Sequence, residues 1–313
     1  EKHMAEKKQM ILNRLPAPTW NWLRVNRTVL DWENENEIDL GAVVRSVQGK
    51  ENEPLRLEIR SEGEYSRKDV EVAAEPDSTV TIIETFGAEQ NLLVRTHLTA
   101  RRNATIRLVQ IQNTQEGSRL VSAVEGECEE GGRIELYQVL VGKGDVYGDS
   151  KIELNGGGAS FEAETGYLAR KQQKVDINLV VNHRGKRTEC EINAAGALMD
   201  AASKIFRGTI DFKRGASDSV GNEKETVLML GDDVTNRAVP LILCAEENVV
   251  GNHGASIGQL DGETLFYFES RGIGRDAAEK LLARASIERV ARLIGDEEAE
   301  GAVMNLLDEE LGR

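Results

Sequence analysis

Short runs in which apolar residues fall on every second position recur from about residue 39 to residue 244, and they constrain this chain more than any other feature. Leu55, Leu57 and Ile59 are interleaved with Arg56, Glu58 and Arg60. Val175, Ile177, Leu179 and Val181 are interleaved with Asp176, Asn178 and Val180. Cys190, Ile192 and Ala194 alternate with Glu191 and Asn193, and Phe206, Gly208, Ile210 and Phe212 with Arg207, Thr209 and Asp211. A period of two sends one set of side chains into a core and the other out of it, which predicts strands. Similar runs lie at 80–83, 106–108 and 134–141. Their centres recur roughly every 10–16 residues with Gly, Asn, Asp or Ser between, the spacing of an all-β chain.

On pattern alone a sandwich, a barrel and a stacked solenoid all remain open. Aromatic residues make up only 4% of the chain, so the core must be aliphatic. Stacked coils bury aliphatic ladders, and small-residue corners such as Gly156-Gly-Gly-Ala-Ser160 suit them, although no strict sequence repeat is present. The expectation is a β-solenoid over residues 36–258, with a capping segment over 1–35 and a helical region over 259–313. The first segment carries Trp20, Trp22 and Trp32, whose rings are expected to cap the solenoid. Beyond it, 265–268 is strand-like, and Gly272-Ile-Gly274 reads as a helix-entry turn. Asp276 with Glu279 resembles an N-cap and capping box. Ala278, Leu281, Leu282 and Ala285 then form an apolar face flanked by Lys280, Arg284, Arg289 and Arg292. Gly295 ends that helix, and 297–311 reads as a final acidic amphipathic helix.

Lys and Arg number 39 against 54 Asp and Glu, a net charge of −15, which argues against nucleic-acid binding. No apolar stretch approaches the roughly 20 residues of a membrane span. No apolar leader core is visible, and three well-separated cysteines, Cys128, Cys190 and Cys244, read as reduced thiols; a cytoplasmic protein is expected. The opening Glu1-Lys-His-Met4 reads as a cloning remnant ahead of a start at Met4, so His3 is set aside.

Chemistry-bearing motifs are sparse. There is no P-loop and no HExxH, and Gly272-Ile-Gly274 lacks the following strand that a dinucleotide fingerprint requires. His97 is expected to face solvent, His183 to sit in a turn, Cys190 to be a buried thiol, and Cys128 to lie in a solvated acidic loop. A β-helical polysaccharide lyase or hydrolase is the enzyme-class alternative. It needs convergent acidic or basic groups along an aromatic-lined groove, which so few aromatics do not favour.

His253 differs from the other histidines. Gly251-Asn-His-Gly-Ala-Ser-Ile-Gly258, followed by Gln259-Leu-Asp-Gly-Glu-Thr-Leu-Phe-Tyr-Phe-Glu-Ser-Arg-Gly-Ile273, resembles the C-terminal signature of the SufB/SufD family of SUF iron–sulfur cluster assembly scaffolds. His183 through Cys190, Phe206-Arg-Gly-Thr-Ile210 and the N-terminal Pro-Thr-Trp-Asn-Trp-Leu are similar to the same family. The resemblance implies a right-handed parallel β-helix with small helical flanks and a non-enzymatic scaffold role in the cytoplasm. It also implies pairing through the β-helices, as a homodimer or with a SufB/SufD paralogue, and a C-terminal region that binds the SufC-type ABC ATPase.

Where the SufB branch carries a cysteine this chain has Glu225, and Gly254 and Gly251 stand at two other branch-specific positions. Transient iron or an iron–sulfur cluster would then fall to His253, Glu225 or Cys244. ATPase docking would fall to Arg271, Leu281, Leu282, Arg284, Arg289 and Arg292. A homologue that keeps ATPase binding but has lost cluster chemistry is the remaining alternative.

Overall fold

A computed structural model describes residues 9–32, 36–51 and 53–312. The expected N-terminal remnant, with His3 and Met4, lies outside the described residues, as does the expected boundary at residue 35.

Sixteen strands wind into a parallel β-solenoid of about eight turns, each turn giving one strand to each of two sheets. One sheet takes β4 (Leu55–Arg60), β6 (Thr79–Gly87), β8 (Thr105–Gln112), β10 (Arg133–Leu140), β12 (Ser160–Ala169), β14 (Glu189–Leu198), β16 (Ser219–Met229) and β18 (Val249–Gly258). The other takes β3 (Ile38–Val47), β5 (Tyr65–Ala74), β7 (Asn91–Ala100), β9 (Arg119–Cys128), β11 (Asp145–Leu154), β13 (Lys174–His183), β15 (Ser203–Phe212) and β17 (Thr235–Cys244). A short antiparallel pair, β1 (Gln9–Leu12) with β2 (Thr28–Asp31), precedes them.

Inward side chains stack rung on rung. Val80, Ile106, Ile134, Phe161 and Cys190 are successive register partners, so Cys190 ends an apolar ladder as its alternation predicts. Cys128 behaves the same way. It stands in an inward column with Ala100, Leu154, His183 and Phe212 and is fully buried, not solvated, because its parity along β9 outweighs the acidic residues around it. Corners turn tightly. A Cβ on Gly185 would overlap the backbone of Gly156 in the turn below, so neither corner has room for a side chain.

The lumen also holds a polar ladder. Glu84, Gln110, Gln138 and Thr165 are consecutive register partners on β6, β8, β10 and β12. Gln110 Nε2 donates to Glu84 Oε2 at 2.8 Å, Gln138 Nε2 to Gln110 Oε1 at 2.9 Å, and Thr165 Oγ1 to Gln138 Oε1 at 3.2 Å. Burial pushes the Glu84 carboxyl up to about 7, against the opposing pull of Gln110 and Thr96.

The solenoid strands are apolar on parts of their outer faces too, and the chain ends cover those parts. Tyr65, Leu93, Val121 and Tyr147 pack against Leu12, Leu30 and Trp32. The N-terminal segment therefore lies along the flank of one sheet, and its aromatics do not cap an end. Only Trp32 is buried; Trp20 and Trp22 are exposed and stacked on each other, ring centroids 6.3 Å apart. Arg207, wholly buried under this segment, pairs with Asp176 and donates to the Val25 carbonyl.

Three helices follow: α1 (Gly262–Glu269), α2 (Arg275–Leu293) and α3 (Glu297–Leu311). Helices α2 and α3 bury Ala283, Ile287, Val290, Val303 and Leu307 against Val109, Val139 and Leu168 of the other sheet. Three local expectations are corrected here. Residues 265–268 are helical, since Asp261 caps their N-terminus by accepting from Thr264 N–H at 2.7 Å and no strand among the described residues lies beyond β18 to pair with them. Gly274, not Asp276, is the N-cap of α2, and Asp276 lies in its first turn, paired with Lys280 at 2.9 Å. The buried face of α2 is Ala278, Ala283, Ile287, Val290 and Ala291, leaving Leu281 and Ala285 exposed and Leu282 half-buried. No helix among the described residues is long and apolar enough to cross a membrane.

Candidate functional site

The last two turns break the apolar rule of the lumen. Inward positions on β16 alternate as Gly221, Glu223, Glu225 and Val227, and on β15 Lys204 faces inward beside Phe206. Lys204 Nζ pairs with Glu225 Oε1; the two side chains are 0% and 2% exposed. Tyr167, also wholly buried, has its ring under the Lys204 ammonium at 5.8 Å and adjoins the Glu225 carboxylate. Burial lowers the Lys204 ammonium and raises the Glu225 carboxyl, and each partner opposes the shift of the other.

Glu223 sits two residues along on the same face. Its Oε2 is buried with no hydrogen-bond partner. Burial, then the Glu225 charge, push its carboxyl up to about 7 against the pull of Lys204. Across the lumen lies Gly208, where a Cβ would collide with this carboxylate. Asn236, the register partner of Lys204 on the last turn, buries both amide atoms unpaired.

Strand β18 places His253 one turn above Glu223 in direct register, on the lumen-facing parity but exposed, because among the described residues no further strand covers the end. Ala255 lies in the same way above Glu225. The structure thus sets His253 over the carboxylate layer that contains Glu225. Cys244 is elsewhere. It is exposed at the end of β17. Pro240, the register partner of Gly208, is four residues back, ~13 Å along an extended strand. Among the described residues, no three His, Cys, Asp or Glu side chains are already gathered as a metal cage.

Imidazole and carboxylate are ligands that suit ferrous iron, and an exposed imidazole over a buried carboxyl layer offers one face to solvent and one to the lumen. Sequence reasoning missed Lys204, Glu223 and Tyr167. Glu223 was accessible to it, since it shares parity with Glu225. A second buried pair also went unseen: His183 Nε2 lies 3.2 Å from Cys190 Sγ and its Nδ1 2.7 Å from Thr188 Oγ1. Burial lowers His183 to about 4 and pushes the Cys190 thiol up, so both are neutral.

The expected docking residues divide. Arg271 is exposed over the Tyr267 ring at 4.7 Å, and Leu281 is exposed. Arg284 instead joins α2 to α3 through Asp308 at 2.7 Å and also holds Glu288. Arg289 ties α2 to the solenoid through Glu164 at 2.6 Å, and Arg292 lies 3.6 Å from Glu288. Beside Arg271, helix α1 exposes Phe266 and Tyr267, at 71% and 54%. These were hidden from sequence by the strand-like reading of that segment.

Residues 57–286 match the family model described as SUF system FeS cluster assembly, SufBD core domain. The chain is 28% identical over 217 residues to the iron–sulfur cluster assembly protein SufD of Bacillus subtilis, covering 67% of this chain and 50% of that one. It is 27% identical over 135 residues to a SufBD family protein of Staphylococcus saprophyticus, covering 43% and 29%. A Staphylococcus epidermidis SufBD family protein is 24% identical over 187 residues, covering 60% and 40%. The chain thus spans half or less of the length of these curated relatives.

Proposed function

The chain belongs to the SufBD family of the SUF iron–sulfur cluster assembly system, and on that premise we propose that it is a non-enzymatic scaffold working with a SufC-type ABC ATPase in the cytoplasm. Iron, or a nascent cluster, is the cargo. It is taken at the open end of the solenoid by His253, with the carboxylate layer of Glu225 beneath. The observation that carries this reading is the register of β18, which sets His253 on the lumen side above buried carboxylates. Cys244, exposed on the last turn, is a third donor for cargo that reaches across the end.

That same end is where a second SufB/SufD-type subunit, identical or paralogous, would pair. Strands β17 and β18 are sheet edges, and Val250 and Ile257 are exposed on the last of them. Pro240 is tolerated within β17 because an edge strand needs only one side of its backbone for pairing. The ATPase docks on the outer surface of α1 and the start of α2, through Phe266, Tyr267, Arg271 and Leu281, where large apolar groups stand exposed around a cation.

The test is anaerobic reconstitution of the chain with a purified SufC-type ATPase, followed by iron and sulfide analysis. Wild type is expected to load iron and His253→Ala to load less. Equal loading would remove His253 from the site. ATPase binding without any loading would mark a homologue that has kept the partner and lost the chemistry.

A further inference from the structure

In the carboxylate layer two acids share one ammonium. Lys204 is bonded to Glu225, while Glu223 Oε2 is buried with no hydrogen-bond partner. Two buried carboxyls thus face one ammonium, and a carboxylate buried without a partner is costly. Glu225 holds Lys204 through Oε1, although its Oε2 is without a hydrogen-bond partner as well. Glu223 has no ion pair of its own and feels Lys204 only at a distance.

Position points the same way. Glu223 and His253 are register partners on adjacent parallel strands, ~4.8 Å apart, with side chains on the same face. One ion can bridge neighbours at that spacing. Gly208, which has no side chain, leaves the Glu223 carboxylate room to lie across the lumen. Among the described residues no strand lies above His253.

We propose that Glu223 is the lumen-side ligand of a divalent cation held by His253 at the mouth of the solenoid, and that Lys204 keeps Glu225 out of the coordination sphere. The inference rests on the reading of this chain as an iron scaffold and reassigns the carboxylate within it. An imidazole and a carboxylate select a hard to borderline ion, ferrous iron before cuprous. Lys204 and Tyr167 then act as positioning residues that hold Glu225 as a fixed second negative charge near the ion.

The experiment uses the full chain, anaerobic ferrous iron for affinity and cobalt(II) as the spectroscopic probe. Glu223→Gln and His253→Ala are each expected to weaken ferrous iron binding about 10-fold or more. Glu223→Gln removes an unpaired buried charge, so its melting temperature holds or rises, which separates ligand loss from unfolding. In a Cys244→Ser background, which removes the exposed thiol, Glu223→Cys is expected to give cobalt a thiolate charge-transfer band that the Cys244→Ser parent lacks, and only a side chain on the metal produces that band. Unchanged affinity in Glu223→Gln with loss in His253→Ala would overturn the assignment of Glu223 and leave the scaffold reading standing. A wild-type chain that binds neither metal would overturn both.

Discussion

Lys204 and Glu225 form an ion pair that neither side chain shares with solvent, one turn below the open end of the solenoid. Removing one member strands the other. Lys204→Ala is expected to destabilise the chain by about 3–5 kcal/mol, whereas Lys204→Met combined with Glu225→Leu is expected to be close to neutral. Urea unfolding of the two variants checks this, and similar losses in both would show that the pair contributes through packing rather than charge.

Glu84 gives a pH dependence of known sign. Its carboxyl is raised from 4.5 to about 7 by burial, so the folded state holds the proton more tightly than the unfolded chain. Its contribution to stability is whole below about pH 4.5, falls as pH rises towards about 7, and is flat above, a difference of about 3 kcal/mol. Unfolding midpoints at about pH 5 and about pH 8 are expected to differ less in Glu84→Gln than in wild type. The same pH response in both would place the effect in other groups.

Thiol chemistry follows from burial. Cys128 is pushed up to about 12 and Cys190 is raised as well, while Cys244 is exposed. A thiol-reactive reagent is expected to label one cysteine in the native protein and three after denaturation, with Cys244→Ser abolishing the native signal. Native labelling that survives in Cys244→Ser would mean the solenoid opens locally.

The helical region separates docking from folding. Phe266→Asp with Tyr267→Asp is expected to cost at least ~2 kcal/mol of affinity for a SufC-type ATPase, about 30-fold, with the melting temperature unchanged. Arg284→Glu is expected to act the other way. It breaks contacts between α2 and α3 and lowers stability by about 1–2 kcal/mol. If binding is insensitive to the α1 pair, the ATPase sits elsewhere.

Much of this was legible in sequence because a solenoid strand keeps its parity. Leu55–Arg60 is β4, and 175–181 lies within β13. The final acidic helix also falls where its pattern places it, at Glu297–Leu311. Parity failed only where it was not applied: Cys128 was read by its acidic neighbourhood and not by the alternation around it, and Glu223, on the parity of Glu225, was passed over. The flanking role of Trp32 and the exposure of Phe266 had no such signal. Both depend on which outer faces of the sheets are left apolar, and that is set by residues far away in the chain, such as Val121 and Tyr147. The repeat itself stayed hidden because register partners share size and polarity without sharing identity: Gln110, Gln138 and Thr165 occupy one column.

That column restricts how the molecule can grow or shrink. Aliphatic layers are interchangeable, so a stack made of them alone could lose one coil, or slip by one, and close up again with little to mark the fault. Here each interior amide is satisfied by the coil directly below it. Excising the coil that carries Gln110 would bring Gln138 against Glu84, where its amide could replace that of Gln110 on the same oxygen. Excising the one that carries Gln138 would leave Thr165 to reach Gln110 with a shorter side chain. The ladder therefore fixes its two ends, the carboxyl of Glu84 and the short hydroxyl of Thr165, and makes a slip of the whole stack costly even though its two middle coils could stand in for each other.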